Sequence, residues 1–325
     1  MTKRLMIVDA QNQFMRSYIV NPSLSPNGDP VGGVNGFMKI LNKLCRQIQP
    51  DEFVVVWDGA GGSLKRRAIN KEYKEGRKSP KLNRFANNLT ESQEMENRIW
   101  QQARTIEYVN CLPMIQFRED GVEADDVIAF IKHSEHYKDW QKVIVSSDKD
   151  FIQLLDDETL LFRPTQDQVL NSSRVLTDTN IHPRNFALAR SVDGDKSDNL
   201  KGVPGIGMKS IAKSFPFLAE DVDYYISDLE NHCHQQCESK LKIYEKVLDN
   251  LPLIRQNYKI MQLSSPSISL QMANRITSVL SEWVPEFNKT ELRKLMFHDG
   301  FGEINLECLY RNFNLMIAES KRSKN

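Results

Sequence analysis

Residues 53–58 read Phe-Val-Val-Val-Trp-Asp, a run of β-branched and aromatic residues that stops at a carboxylate. Residues 5–8 follow the same pattern and are followed by Asp9, and residues 143–145 lead into a Ser-Ser-Asp turn. Short apolar runs of this kind are typical of parallel strands that are buried on both faces. Three such strands predict a parallel sheet whose acidic residues share the edge formed by the carboxyl ends.

Helical patterns separate these strands, with apolar residues recurring every three or four positions over residues 34–48, 91–108 and 123–137. The alternation predicts an α/β fold with a mainly parallel central sheet flanked by helices. From about residue 181 the strand patterns fade and helical ones dominate. We therefore predict an α/β catalytic domain over residues 1–180 and a mostly helical domain over residues 181–325.

The overall composition excludes several classes of protein. The 43 Lys and Arg residues balance the 43 Asp and Glu residues, so no global basic field indicates a nucleic acid partner. Five scattered cysteines favour reduced thiols in a cytoplasmic protein, and no apolar run approaches the roughly 20 residues of a membrane helix. Residues 232–237 contain two His and two Cys, but zinc sites usually join two separated ligand pairs, so we expect no zinc there.

Nine carboxylates recur at strand ends, at one helix start and in a polar Gly-containing turn. Any one of them could be a helix cap or a turn former. Gathered at one sheet edge, however, they would repel one another unless cations neutralised them. All-oxygen donors favour Mg²⁺ or Mn²⁺ over zinc, and two Mg²⁺ ions ~3.5–4 Å apart are a common arrangement for phosphodiester hydrolysis. The nine residues are Asp9, Asp58, Glu123, Asp125, Asp126, Asp148, Asp150, Asp195 and Asp198.

A local basic segment follows the second strand. Residues 65–84 contain nine Lys and Arg against two Glu, which a solvated helix face would also explain. Its position directly after Asp58 favours a role in guiding a single-stranded backbone to the metal site, with Tyr73 or Phe85 stacking on a base. The expected DNA-binding cations in it are Lys65, Arg66, Arg67, Lys71 and Lys78.

A glycine-rich turn, Gly-Val-Pro-Gly-Ile-Gly, occupies residues 202–207 and precedes a helical pattern. Such turns expose backbone N–H groups to a phosphate, although they also occur where two backbones pack closely. Because the turn directly follows the acids at 195–198, we favour phosphate binding. The residues expected to contact DNA are Gly202, Gly205, Gly207, Lys209 and Lys213.

These motifs, in this order, resemble the structure-specific 5′ nuclease family of flap endonucleases and 5′-3′ exonucleases, and most of all the T-even phage ribonuclease H. The resemblance covers most of the chain. It is carried by Ile-Val-Asp9, Trp-Asp58-Gly, Tyr73-Lys74-Glu-Gly-Arg77, Glu123-Ala-Asp125-Asp126, Ser-Ser-Asp148-Lys-Asp150, Gly194-Asp195-Lys-Ser-Asp198-Asn and the glycine turn.

The resemblance implies a role for each group of residues. Residues 62–90 would form a helical arch in which Lys74 and Arg77 are catalytic and contact the scissile phosphate. Residues 185–215 would form a helix-three-turn-helix that holds duplex backbone, with a K⁺ ion at the glycine turn. The first metal site would be built or supported by Asp9, Asp58, Glu123, Asp125, Asp126 and Asp148, and the second would use Asp150, Asp195 and Asp198.

The resemblance also implies substrates and partners. The expected activity is removal of RNA primers and 5′ flaps from branched or nicked DNA and RNA-DNA hybrids, as a ribonuclease H and flap endonuclease in replication or repair. We expect a monomer that contacts a single-stranded-DNA-binding protein, whereas a sliding-clamp motif is not evident. Two alternatives are a PIN-type ribonuclease, which is usually shorter and lacks the glycine turn, and an inert junction-binding protein, which would have lost metal acids.

Overall fold

The computed structural model describes residues 2–76, 82, 89–236, 241–301 and 305–322. It contains one six-stranded sheet in the order β3-β2-β1-β4-β5-β6, parallel except for β6, which pairs antiparallel with β5. The predicted α/β fold with a mainly parallel sheet is confirmed. The strands are β1 (Arg4–Asp9), β2 (Glu52–Trp57), β3 (Ile115–Arg118), β4 (Gln141–Val145), β5 (Thr159–Arg163) and β6 (Gln168–Leu170).

The register aligns the carboxyl ends of the three strands that the sequence predicts. Val8 lies opposite Val55 of β2 and Val145 of β4, so the three strands end within two residues of each other. Asp9, Asp58 and the turn after Val145 therefore come to one edge. The order reverses between β2 and β4 on either side of β1, and in open parallel sheets ligands bind at such a switch point.

Helices before residue 133 confirm two of the predicted helical segments and correct a third. The segment 123–137 ends as an α-helix at Lys132, and a separate 3₁₀ turn spans Glu135–Tyr137. The sequence does not predict the first helix, because the polar residues Gln-Asn-Gln at its start obscure the apolar face that Phe14 and Tyr18 form. The helices are α1 (Ala10–Val20), α2 (Gly32–Ile48), α3 (Leu64–Ile69), α4 (Glu91–Asn110) and α5 (Ala124–Lys132).

From residue 171 onward every regular element that the structure describes is helical. A loop over residues 194–207 joins α7 to α8, and this loop contains the glycine turn. The helices are α6 (Ser172–Thr179), α7 (Phe186–Asp193), α8 (Met208–Ser214), α9 (Ile226–Gln235), α10 (Lys242–Asp249), α11 (Leu251–Met261), α12 (Leu270–Glu282), α13 (Lys289–His298) and α14 (Glu307–Arg322).

Two apolar clusters cover the two faces of the sheet. Leu5 and Ile7 belong to a cluster that includes residues of α5, α7, α8, α9 and α12, whereas Met6 and Val8 belong to one that includes α1, α2, α13 and α14. Both clusters therefore combine residues from before and after position 180. The division at 180 marks a change in secondary structure, and its reading as a domain boundary stays a prediction. Within the described residues, no helix has the length and apolarity to cross a membrane.

Candidate active site

The carboxylates at the strand edge also hold the local backbone in place. Asp9 ends β1 and caps α1: one of its oxygens accepts from the N–H of Asn12 at 3.1 Å, and the other accepts from the Ser146 hydroxyl at 2.8 Å. Asp58 accepts from the N–H of Ala124, the first residue of α5, at 2.9 Å. Asp9 thus caps a helix and also lies at the shared edge, and a neighbouring element fixes each of the two carboxylates by a hydrogen bond.

Four acids and one lysine are among the residues that line a single open cleft of about 470 Å³ at this edge, which Arg16 of α1 also lines. The acids come from four different elements, namely the ends of β1 and β2, the first turn of α5 and the turn after β4. In that turn the carboxylate of Asp148 accepts from the N–H of Asp150 at 2.8 Å. The five residues are Asp9, Asp58, Asp125, Asp148 and Lys74.

The pKa values in the cleft are raised because buried carboxylates face one another. Burial, followed by the charges of Asp58 and Asp148, raises the pKa of Asp9 to about 7. Burial and then Asp148 raise the pKa of Asp125 well above its usual range. For Asp150 the same two causes raise the pKa to about 8, even though Arg190 opposes them. Burial is thus the main cause of the raised pKa values, and the neighbouring carboxylates add to it.

Glu123 and Asp126, expected as metal ligands, are instead occupied by protein donors. The two oxygens of Glu123 accept from Arg66 on one side and from Lys74, at 2.9 Å, on the other, and Tyr73 adds a hydrogen bond at 3.1 Å. Asp126 lies 3.2 Å from Arg66 and accepts from the N–H of Ser267 at 2.8 Å. Burial alone would raise the pKa of Glu123, but Arg66 and Lys74 outweigh it and lower that pKa. As placed, both acids support the cleft indirectly.

Two of the expected DNA-binding residues turn inward, which corrects the prediction for them. Arg66 is 9% exposed and its Nε donates to the carbonyl of Ile260 at 2.9 Å. Tyr73 is 2% exposed, so its ring is closed to a base. Both are drawn inward because buried Glu123 accepts their hydrogen bonds, and an unpaired buried carboxylate would be costly.

The rest of the basic segment is more accessible. Arg67 and Lys71 are exposed, and Lys65 is exposed while its ammonium donates to the carbonyl of Ser267 at 2.9 Å. Lys74 has a positive φ of 55° and its N–H donates to the carbonyl of Asp198 at 2.9 Å. This backbone contact brings Lys74 to the cleft. Arg77, Lys78 and Phe85 lie outside the described residues.

The second group of acids is organised by an arginine that the motifs did not include. Arg190 of α7 is 8% exposed, pairs with Asp195, lies 3.6 Å from Asp150 and donates to the carbonyl of Gly194 at 3.1 Å. Burial would raise the pKa of Asp195, but the Ser197 hydroxyl and Arg190 outweigh it and lower that pKa. An arginine inside the otherwise apolar run Phe-Ala-Leu-Ala-Arg was the available signal.

Asp198 joins this group through the small cavity between the basic segment and α11. That cavity is also lined by Asp125, Asp150 and Tyr73. The charge of Asp198 contributes to raising the pKa of Asp148 and of Asp150. The two groups of acids are thus neighbours rather than separate sites.

The donor set suits a hard divalent cation. The acidic side chains that line the cleft present carboxylate oxygens, which are the ligands that Mg²⁺ prefers, and burial raises the pKa values of Asp9, Asp125 and Asp148. In the ranges that the structure describes, no three His, Cys, Asp or Glu side chains are already grouped to hold an ion. The residues therefore fit the metal in chemistry and location, and their side chains would have to converge on it.

The three expected glycines of the turn have different surroundings. A Cβ on Gly202 would lie 2.0 Å from the carbonyl oxygen of Asp193, so this glycine allows close packing, and its contact with DNA stays a prediction. Gly205 is exposed and has a φ of 75°, whereas Gly207 caps α8 with an extended backbone. Lys209 and Lys213 are exposed. The surface that a phosphate could reach is thus centred on Gly205.

Comparisons with known proteins agree with this arrangement. Residues 4–180 match the family described as "5′-3′ exonuclease, N-terminal resolvase-like domain". The 5′-3′ exonuclease of Aquifex aeolicus is 31% identical over 211 residues, which are 64% of this chain and 67% of that protein. The thermostable DNA polymerase I of Thermus aquaticus is 30% identical over 211 residues, 65% of this chain but only 23% of the polymerase.

A solved structure shares the fold. The phage T5 flap endonuclease, in a complex with DNA and metal ions, superimposes with a TM-score of 0.68 at 20% identity and covers 86% of this chain and 98% of its own. At that identity the likeness concerns the fold. The sequence match to the family covers more than half of the chain. This protein therefore belongs to the 5′-3′ exonuclease family of enzymes.

Proposed function

We propose that this protein is a divalent-metal-dependent 5′ nuclease that hydrolyses phosphodiester bonds of RNA primers and 5′ flaps in branched or nicked duplexes. It would act as a ribonuclease H and flap endonuclease in DNA replication or repair. The observation that carries the proposal is the cleft that Asp9, Asp58, Asp125 and Asp148 line from four elements. Burial, with the neighbouring carboxylates adding to it, raises the pKa values of Asp9, Asp125 and Asp148, and bound cations would stabilise their charged forms.

The proposal assigns two metal ions to two sets of acids. Asp9, Asp58, Asp125 and Asp148 would hold the first ion, and Asp150, Asp195 and Asp198 would hold the second. Mg²⁺, with Mn²⁺ able to substitute, would lower the pKa of the attacking water and stabilise the leaving oxygen. The phage T5 5′-exonuclease with bound divalent zinc ions supports a divalent ion here.

Glu123 and Asp126 would act through the cations that they hold. Glu123 fixes Lys74 at the cleft, where its ammonium is in position to contact a phosphate next to the acids. Together with Arg77, Lys74 would stabilise the charge that develops on the scissile phosphate. Arg66 carries no such role in this proposal, because it is enclosed by Glu123, Asp126 and the carbonyl of Ile260.

The glycine turn would hold duplex backbone. Gly205 and Gly207 would bring main-chain groups to a phosphate, and Lys209 and Lys213 would add charge, so binding would follow the shape of the nucleic acid and not its base sequence. Arg67 and Lys71 are exposed on the basic segment and would contact the 5′ strand. We further propose a monomer in the cytoplasm that contacts a single-stranded-DNA-binding protein.

The test is cleavage of a 5′-labelled DNA flap and of an RNA-primed duplex, with Mg²⁺ and then with EDTA. We expect short 5′ products from both substrates in Mg²⁺ and none in EDTA. Asp148→Asn should abolish cutting while duplex binding survives, because the substitution leaves the glycine turn intact. Full cutting in EDTA would refute the metal mechanism, and tight binding without any cutting in Mg²⁺ would favour an inert junction-binding protein.

A further inference from the structure

A lysine from a distant helix reaches the glycine turn. The ammonium of Lys246, in α10, donates to the carbonyl of Pro204 at 3.1 Å, across 42 residues of sequence. A Cβ placed on Gly205 would find that ammonium at 3.4 Å and no other atom within 4 Å. Lys246 is thus the side chain that stands beside the exposed face of the turn.

The position of Lys246 is set by buried neighbours on its own helix. Val247 is fully buried and Tyr244 is 7% exposed. The hydroxyl of Tyr244 donates to the carbonyl of Ser214, at the end of α8, at 3.2 Å. Because these contacts hold α10 against α8, the lysine between them is directed to the turn that precedes α8.

The charge of Lys246 is not used by an acid. Among the residues that the structure describes, no carboxylate lies within 4.0 Å of its ammonium. Pro204, Gly205 and Lys246 are all exposed, so the remaining N–H groups of the ammonium are accessible to an incoming anion. A cation that is bound to one carbonyl and otherwise open is suited to an oxygen of a phosphodiester.

We propose that Lys246 is the built-in cation of the glycine turn. Its ammonium binds the Pro204 carbonyl on one side and a backbone phosphate of the duplex on the other, where a free monovalent ion would otherwise sit. The expected K⁺ ion is then unnecessary, since a second positive charge at the same carbonyl would be repelled. The inference rests on the proposed function in one respect, namely that the turn binds duplex.

Equilibrium binding of a labelled flap duplex in EDTA tests this without any cleavage. The wild-type chain should bind equally well in potassium chloride and in tetramethylammonium chloride of the same concentration. Lys246→Met should weaken binding about five- to tenfold at 0.1 M salt and lower the salt slope by about one, as for the loss of one phosphate contact. The variant should also regain affinity in K⁺ relative to tetramethylammonium, because the vacated carbonyl can then take an ion.

Two further variants make the result specific. Lys246→Arg keeps the charge and should retain most of the affinity. Lys294→Met removes an exposed lysine from α13, which packs in the apolar cluster on the other face of the sheet, and should leave binding unchanged. A wild-type affinity that drops more than threefold without K⁺, or a Lys246→Met variant with wild-type affinity and salt slope, would overturn the inference. Loss of cleavage with this binding pattern intact would refute only the proposed function.

Discussion

Two short cationic regions border the acids, and they behave in opposite ways. In the first, residues 64–76, Arg66 and Tyr73 turn inward onto Glu123 and Lys74 reaches the cleft. In the second, the glycine turn and its lysines, every ammonium is exposed. The difference shows that buried carboxylates pair with the nearest cationic side chains. A run of basic residues in a sequence therefore does not by itself indicate an exposed basic surface. We propose that the buried cations hold the site together and that the exposed ones of both regions contact DNA.

The largest expected effect of a single substitution comes from the first region, residues 64–76. Arg66→Ala should lower the free energy of unfolding by about 3–5 kcal/mol, because it leaves Glu123 and Asp126 buried without their shared cation. Arg67→Ala is the matched control: the neighbouring side chain is exposed, and its loss should change stability by less than about 0.5 kcal/mol. Urea unfolding of both variants measures this. Equal small losses would mean that Arg66 is not the partner of the two acids.

The cleft itself should make stability depend on pH when no metal is present. Asp9 has a folded-state pKa of about 7 and Asp150 of about 8, so the folded chain holds protons that the unfolded chain has released. In EDTA, stability should therefore fall by something on the order of 6 kcal/mol in total as pH rises from 5 to 8, at about 1.4 kcal/mol per pH unit for each group that releases its proton. Mg²⁺ at pH 8 should reverse the fall. A flat profile in thermal unfolding would show that these acids are not crowded.

Lys74 combines features of both regions, because its ammonium pairs with the buried Glu123 and its side chain also lines the open cleft. Lys74→Ala should slow single-turnover cleavage by about one to three orders of magnitude, the usual range for one electrostatic stabiliser, with little change in duplex affinity. Lys71→Ala, in the same turn but exposed, should change the rate far less. A rate-neutral Lys74→Ala would place the catalytic cation elsewhere.

The smallest expected effect comes from the second region, the glycine turn. Gly205→Val forces a β-branched side chain into a backbone with φ of 75°, at a cost of about 1–2 kcal/mol, and should weaken duplex binding roughly tenfold. Gly28→Val is its control, since Gly28 also has a positive φ, 87°, and open space but lies far from the turn in sequence. If both variants bind duplex like the wild type, the turn is not the duplex contact.

The sequence predicted the fold and the acidic edge because both depend on local patterns. Apolar runs that stop at carboxylates identify β1, β2 and β4 and place the acids together. The direction of Arg66 and the reach of Lys246 depend on contacts across the fold, and no local pattern encodes them. The apolar run around Arg190 was a local signal, but its contact with Asp150 lies across the fold. The strands β3, β5 and β6 were missed for a related reason, since three to five residues carry little periodicity.

The position of α14 has a consequence for how the chain folds during synthesis. Leu309, Phe313 and Met316 pack against the face of the sheet that contains Phe53, and the rings of Phe53 and Phe313 lie 5.5 Å apart. More than 250 residues must therefore be translated between the strand and the helix that covers it. A ribosome adding 5–20 residues per second leaves the part of this face that α14 covers exposed for roughly 13–50 s, long enough to make the nascent chain a substrate for chaperones.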